Sequence, residues 1–434
     1  MRQTSSLLAL AFSCALPAHA QDTFHGDVAR TGVFASAAPG SAPRVKWSFK
    51  TSGPIVGSAV ARDGVVYIAC LGGHLYAIDQ ATGTEKWNFK SRMPIASTPA
   101  LGDSTLYFVS SAGSLAALDL ATGTPRWVLP VEYERRFEAK NLHGYPSAAQ
   151  TIADSYDLFT SSPALNGGKV YFGAGDGGIY CADATSGLLL WKFSTENVVH
   201  SSPAIANGLV YAGSWDSRLY AIDAESGQLR WSYQAGLDPA IHNQEGFQSS
   251  AAVMNGVVYV GCRDAHLYAI DAGSGKKRWD YPTSKGWVIG TPAVRDGQVF
   301  AGTSDGARVF SLDAKTGRLR WNFDAKGYTF SSPALAANLL LIGCHNGRLY
   351  ALDAATGGLV WTFQTEASKA DRLDVLNDDG TFRQEAFAPL FGDYQDMVLD
   401  VYRYISVGGI VSSPTVEHGV VYVGSLDGNL YALE

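Results

Sequence analysis

Five histidines have the side-chain chemistry of metal ligands or bases: His74, His200, His242, His266 and His345. Cys262 and Cys344 lie close to two of them along the chain. Imidazole and thiolate suit zinc, but several must converge within about 2–2.3 Å of one ion. These residues fall at matched loop positions in separate copies of a repeat, so they diverge around an axis and no metal is expected. The acidic run Asp371, Asp374, Asp378 and Asp379 suggests calcium. It fails as an EF-hand, because with Gly380 in the sixth position Val375 would be the first ligand and Ala386 the bidentate one. A solvated hairpin over 372–387, turning at Asn377-Asp378-Asp379-Gly380, is expected instead.

Hydroxyl pairs recur as Ser161-Ser162, Ser201-Ser202, Ser249-Ser250, Ser331-Ser332 and Ser412-Ser413. A nucleophilic serine needs a base within hydrogen-bond reach and a third group to orient it. No His–Asp arrangement recurs beside these pairs, so they are read as hydroxyls lining a channel mouth, and no catalytic residue is assigned. Trp215 and Trp287 stand outside the regular tryptophan series. Aromatic side chains with a polar edge, and arginines, favour contact surfaces. A helix capped by Asp393 adds an apolar stripe of Tyr394, Met397, Val398, Val401, Tyr402 and Ile405, with spacings of three and four. The stripe is expected to cover the protein's own face, or to serve as a docking helix or lid. The candidate ligand- or partner-binding face comprises Arg135, His200, Trp215, His242, Arg263, Trp287, His345, Tyr394, Met397, Val401 and Arg403. Arg136 and Arg383 are further polar anchors.

The elements that position these groups follow from a motif, A-x-D-x-x-x-G-x-x-x-W. Its clearest copy is Ala77, Asp79, Gly83 and Trp87; close variants end at Trp127, Trp191, Trp231, Trp279, Trp321 and Trp361. Trp87 to Trp127, Trp191 to Trp231 and Trp321 to Trp361 are each 40 residues apart. That period, with four short strands per unit, marks a β-propeller. Trp47 lacks the upstream half of its motif, and the missing half ends the chain at Glu434. A repeat split between the two ends implies a closed ring. Second strands begin near Val65, Leu106, Val170, Val210, Val258, Val299, Leu340 and Val421. The expected fold is therefore all-β: an eight-bladed propeller of four antiparallel strands per blade, whose last blade is completed by the N-terminal strand at 44–49. Residues 21–434 form one domain, since no blade buries its faces alone.

Three connections are long, at about 130–160, 234–248 and 364–411. Each leaves a fourth strand and enters a first, so all three must emerge on one face. A second helix is expected over 147–159.

Residues 1–20 read as a secretory signal, with Arg2 at the front, an apolar stretch over 7–16 and Ala18-His19-Ala20 before the cut. This implies a periplasmic protein, with Cys14 a poorly framed lipid-anchor site. No stretch suits a transmembrane helix. With 33 Lys+Arg against 40 Asp+Glu the formal net charge is −7, which disfavours nucleic acid as a partner.

The docking motif resembles that of pyrroloquinoline-quinone-type repeats, and Phe24-His25-Gly26-Asp27 with Arg30-Thr31-Gly32 resembles the lead-in to such propellers. The family includes the noncatalytic propeller subunit of the outer-membrane β-barrel assembly machinery. That branch implies a monomeric ring acting as a protein-interaction scaffold in a periplasmic or outer-membrane-associated complex, without a cofactor. The family also includes quinoprotein dehydrogenases, which imply pyrroloquinoline quinone with calcium and oxidation of alcohols or sugars. Those enzymes typically carry two adjacent cysteines over the quinone, and this chain has none. A propeller binding carbohydrate or another small ligand is a further alternative.

Overall fold

The computed structural model describes residues 22–140, 151–154, 156–236, 246–284, 286–387 and 394–434. The secretory segment, Cys14, His242 and Asp393 lie outside the described residues. Eight four-stranded antiparallel sheets are arranged as the blades of a propeller. In blade 1 the strands are Val60–Arg62, Val65–Ala69, His74–Asp79 and Glu85–Lys90, here termed A to D from the axis outward. Strand B is apolar on both faces because a neighbouring blade covers each of them; Val257–Cys262 of blade 5 is buried throughout. Blade 8 closes across the chain ends: Val45–Lys50 pairs antiparallel with Asn429–Leu433, setting Trp47 opposite Ala432. Pairing the two ends removes what would be open edges.

The docking motif works across blade boundaries. Asp79 Oδ1 accepts from the amides of Ala81 and Thr82 and from the Thr82 hydroxyl, which shapes the turn between strands C and D. A bulge at Lys86 then lets Trp87 pair with Ala77 while Glu85 pairs with Ile78, re-aiming the indole into the seam. The glycine has two duties. Gly275 takes φ +71°, and a Cβ there would lie 2.7 Å from the ring of Trp231, the tryptophan of the preceding blade. Trp231 Nε1 donates to the Ala272 carbonyl of the same turn at 2.9 Å. Trp191, Trp279 and Trp321 reach across their seams in the same way. At the last seam the facing turn is cut by the chain ends, and Trp361 Nε1 donates to Pro39 O instead, at 2.7 Å.

A second closure was not anticipated. Val33–Phe34 pairs parallel with strand A of blade 7, Ala334–Ala336. The chain before it passes across the inner strands: carbonyls of Asp22, Val28, Ala29, Thr31 and Gly32 accept from the amides of Leu101, Ile205, Val253, Val294 and Leu335. Fully buried Arg30 donates to the carbonyls of Pro203, Phe24, Ser162 and Pro163. Burial lowers its pKa to about 9, opposed by the charge of Asp27. This segment closes one end of the central channel.

The insertions meet on the other face. Gln248, at the end of the second, donates to Tyr156 O of the first, while Tyr404 of the third packs at a tilt against Tyr328, with ring centres 5.6 Å apart. Two local expectations need correction. Within the helix expected over 147–159, Thr151–Ala153 is a strand paired with Glu138–Lys140; β-branched Thr151 and Ile152 suit that pairing better than a helix. The hairpin expected over 372–387 contracts to one bridge, Leu376 to Phe382, followed by a 3-10 turn at Gln384–Ala386. Ahead of it lies a short helix α1 (Glu366–Ala370), capped by the Thr365 hydroxyl and too short to carry an apolar stripe. The expected longer helix is present as α2 (Tyr394–Ser406).

Candidate functional site

The repeated hydroxyls form a girdle around the channel. The amides of Ser58, Thr98, Ser162 and Ser202 donate to the hydroxyls of Thr98, Ser162, Ser202 and Ser250, each in the next blade. The amides of Thr291, Ser332 and Ser413 continue to Ser332, Ser413 and back to Ser58. Between blades 5 and 6, Ser249 Oγ donates to Gly290 O. The preceding serine brackets its own blade: Ser201 Oγ both accepts from Gly213 N and donates to Gly213 O. These hydroxyls line the channel as expected; the girdle oxygens accept from backbone amides, and serines just before them, such as Ser201 and Ser249, donate to carbonyls. The space they enclose is a cavity of about 40 Å³ bounded by Phe24 at one end and Phe159 at the other. That is room for a few waters.

At the Phe159 end, one position per blade lies toward the mouth, the residue that starts the turn between strands B and C. In blades 1 to 8 it is Leu71, Ser111, Gly175, Trp215, Arg263, Ser304, His345 and Leu426. The repeat does not fix its identity, and the mouth takes its chemistry from it. Trp215 and Arg263 are wholly buried there, at 1% and 0% exposure. The Arg263 guanidinium lies 4.7 Å from the ring centre of Trp215 and 3.7 Å from that of Trp287. On its far side Trp215 stacks on Phe137, with centres 4.2 Å apart and planes at 9°. Asp154 accepts from Arg263 Nη1 at 2.5 Å, and its own carboxylate is fully buried. Phe137 and Asp154 both come from the first insertion, whose backbone returns on itself through Asp154 N to Phe137 O.

His200 is the second anchor of that insertion. Its Nδ1 meets Asp157 at 2.7 Å and its Nε2 meets Glu134 at 2.9 Å. Burial alone would depress the imidazole, but Asp157 and then Glu134 outweigh it and push the pKa up to about 10. His200 is thus an imidazolium held by two carboxylates of the first insertion. Glu134 also accepts from the amide of Gly175, so it ties two blades. His345 is the reverse case: burial among Tyr328, Phe330 and Tyr404 lowers its pKa to about 4, and it is neutral.

The structure therefore gathers His200, Trp215, Arg263 and Trp287 at one mouth, with His345 beside them, but under the insertions and not on open surface. Arg135 contributes backbone, which passes so close to Gly175 that a Cβ there would lie 2.3 Å from Arg135 O. Arg403 is half-buried and pairs with Asp400 on its own helix at 3.1 Å. Of the α2 stripe, Val401 and Ile405 are partly buried, whereas Tyr402 is 60% exposed beside Leu399 at 49%. The side chains of Tyr394 and Met397 lie outside the described residues, as does His242. Sequence reasoning missed Glu134, Asp154 and Asp157. His74 and His266 begin strands C of their blades. Among the described residues no group of three or more His, Cys, Asp or Glu side chains could hold a metal ion.

The ring and its cross-seam tryptophans define a class, the eight-bladed propeller of tryptophan-docked repeats. Within it, residues 32–162, 138–246 and 241–384 match the family described as outer membrane protein assembly factor BamB, and the chain belongs to that family. Comparison with curated proteins finds no match. Among solved structures, BamB from Moraxella catarrhalis is similar, with a TM-score of 0.63 and 17% identity over 91% of this chain and 98% of that one. A europium-containing methanol dehydrogenase gives a TM-score of 0.69 at 12% identity, over 95% and 97% of the two chains. The quinohemoprotein alcohol dehydrogenase from Comamonas testosteroni gives 0.70 at 15%, over 95% and 80%. At such identities the likeness is one of fold.

The enzymes in that comparison raise the question of a quinone. Sites for organic molecules of that size usually offer about 300–1,000 Å³. The channel offers about 40 Å³. The aromatic rings that line it are Phe24, Phe159 and Phe330, and the faces of Trp215 and Trp287 at the mouth are already occupied by Phe137, Arg263 and Tyr156. In this conformation the residues present do not fit such a group, and no chemistry is derived through it.

Proposed function

We propose that this chain is a noncatalytic interaction scaffold of the periplasm, working within an outer-membrane-associated protein assembly. The supporting observation is the mouth of the ring: insertions fill the place where a small substrate would enter, and they build an outward relief instead. Tyr133, Leu399 and Tyr402 stand out from that relief, Tyr133 at 62% exposure. Family membership fits the reading. No helix among the described residues is long and apolar enough to cross a membrane. Two measurements test the proposal. The purified protein, mixed with pyrroloquinoline quinone and calcium, should show neither stoichiometric binding nor dye-linked alcohol oxidation; turnover would overturn the proposal. In a pull-down from envelope extract, Leu399→Asp with Tyr402→Asp should remove specific bound proteins. Identical recovery would take α2 out of the contact surface.

A further inference from the structure

Arg263 is poorly served by its resident partner. It has no exposed surface, yet only Nη1 has an acceptor; Nε and Nη2 have none among the described residues. Trp215 Nε1, beside it, also lacks one. Buried donors are nearly always paired, and an unpaired one is costly. A guanidinium is shaped to take a carboxylate two-pronged, through parallel N–H bonds. Asp154 takes it through one nitrogen only.

The division of labour at this spot is informative. The blades supply cations and flat apolar faces: His200, Trp215, Arg263 and Trp287. The first insertion supplies carboxylates and aromatic rings: Glu134, Phe137, Asp154, Tyr156 and Asp157. Charge and shape are complementary across that line at every contact described. The blades alone would present an arginine between two indoles beside a histidine that becomes an imidazolium once carboxylates meet it, which is a receptor for an acidic segment carrying aromatic side chains.

We infer that the mouth of blades 4 to 6 is a recognition site for an acidic, aromatic-bearing peptide segment of a partner protein, and that the first insertion is its resident occupant in cis. This rests on the scaffold reading and deepens it. A partner segment with a carboxylate placed for Nε and Nη2 would satisfy donors that Asp154 leaves unmet. It would displace the hairpin that ends in Asp154 and Asp157, and with it the Phe159 cover over the channel.

The probe is a fluorescein-labelled peptide with the sequence of residues 153–160, followed by anisotropy with the full chain. Asp157→Asn, alone and with Asp154→Asn, loosens the resident occupant without touching the blade residues. The peptide should bind the loosened protein about tenfold or more tighter than the wild type, as loss of a charged hydrogen-bond partner implies. A peptide with both aspartates replaced by asparagine should lose that binding, as should Arg263→Ala in the loosened protein. The inference fails if the loosened protein, with its melting transition intact, shows no saturable binding, or if it binds the asparagine peptide equally well. The peptide comparison needs no further variant, so it stands even where Arg263→Ala does not fold. Absent peptide binding beside an intact envelope pull-down sinks this site and leaves the scaffold reading; the reverse result sinks the scaffold reading alone.

Discussion

Trp231 sits half-buried in the seam between blades 4 and 5, its Nε1 on Ala272 O and its ring on Gly275. Trp215, in the same blade, is wholly buried at the mouth, with Phe137 on one face and Arg263 on the other. The first environment recurs around the ring; the second occurs once. One residue type thus serves two ends. Repeated tryptophans hold blade to blade, and the unrepeated ones give the mouth its chemistry.

That contrast can be broken from either side. Trp231→Ala should destabilise the ring by about 3–5 kcal/mol, the usual range for a large aromatic in a packed seam. An unchanged thermal melt would contradict the seam assignment. Asp154→Ala should cost about 3 kcal/mol, since removing one partner strands the other buried charge. Here the loss should appear first at the mouth, as a change in near-ultraviolet circular dichroism below the main transition; loss only in the global transition would show that mouth and ring are one unit. Gly275→Ala should cost about 1–2 kcal/mol for the left-handed backbone alone, and more if Trp231 cannot shift. Denaturant titration of that variant separates seam strain from mouth effects.

The smallest effect concerns pH and is confined to the mouth. His200 has its pKa raised from 6.5 to about 10 in the folded protein. Its stabilising effect is therefore complete below about pH 6.5 and lost as the pH rises through about 10. The near-ultraviolet difference between wild type and His200→Gln should shrink across that window. A difference that holds constant to pH 10.5 would show that the imidazolium does not hold the insertion.

How much of this was readable in the chain follows the same division. Asp79, Gly83 and Trp87 state a constraint that later copies repeat, so blade number, ring closure and the shared face of the insertions follow from the chain alone. Even so, the motif hid part of its meaning: Gly83 seats Trp47 of the preceding blade as well as turning its own chain. The pairing of Arg263 with Asp154 spans 109 positions and has no second copy, so periodicity is silent about it. The burial of Trp215 depended on Phe137, in an insertion with no counterpart in the other blades. A signal did exist. Aligning the blades at the turn between strands B and C shows one place where the repeat allows Leu71, Gly175, Trp215, Arg263 or His345, and that place lies toward the mouth. Phe24 to Gly32 was legible as a lead-in but not as a stopper, because its hydrogen bonds go to main-chain groups that carry no side-chain signature.

The serine and threonine girdle has a further meaning. Each described handover runs in one rotational sense, and the step from Ser413 to Ser58, which joins the chain's two extremities, has the same form as those between consecutive blades. Geometrically the wheel has no beginning. A gene re-cut so that translation started at another outer turn would still meet the amide-to-hydroxyl handshake at every boundary but that of blades 5 and 6, where Ser249 donates to Gly290, leaving the stopper at 22–34 and the Trp361 seam to remember where the original polypeptide began.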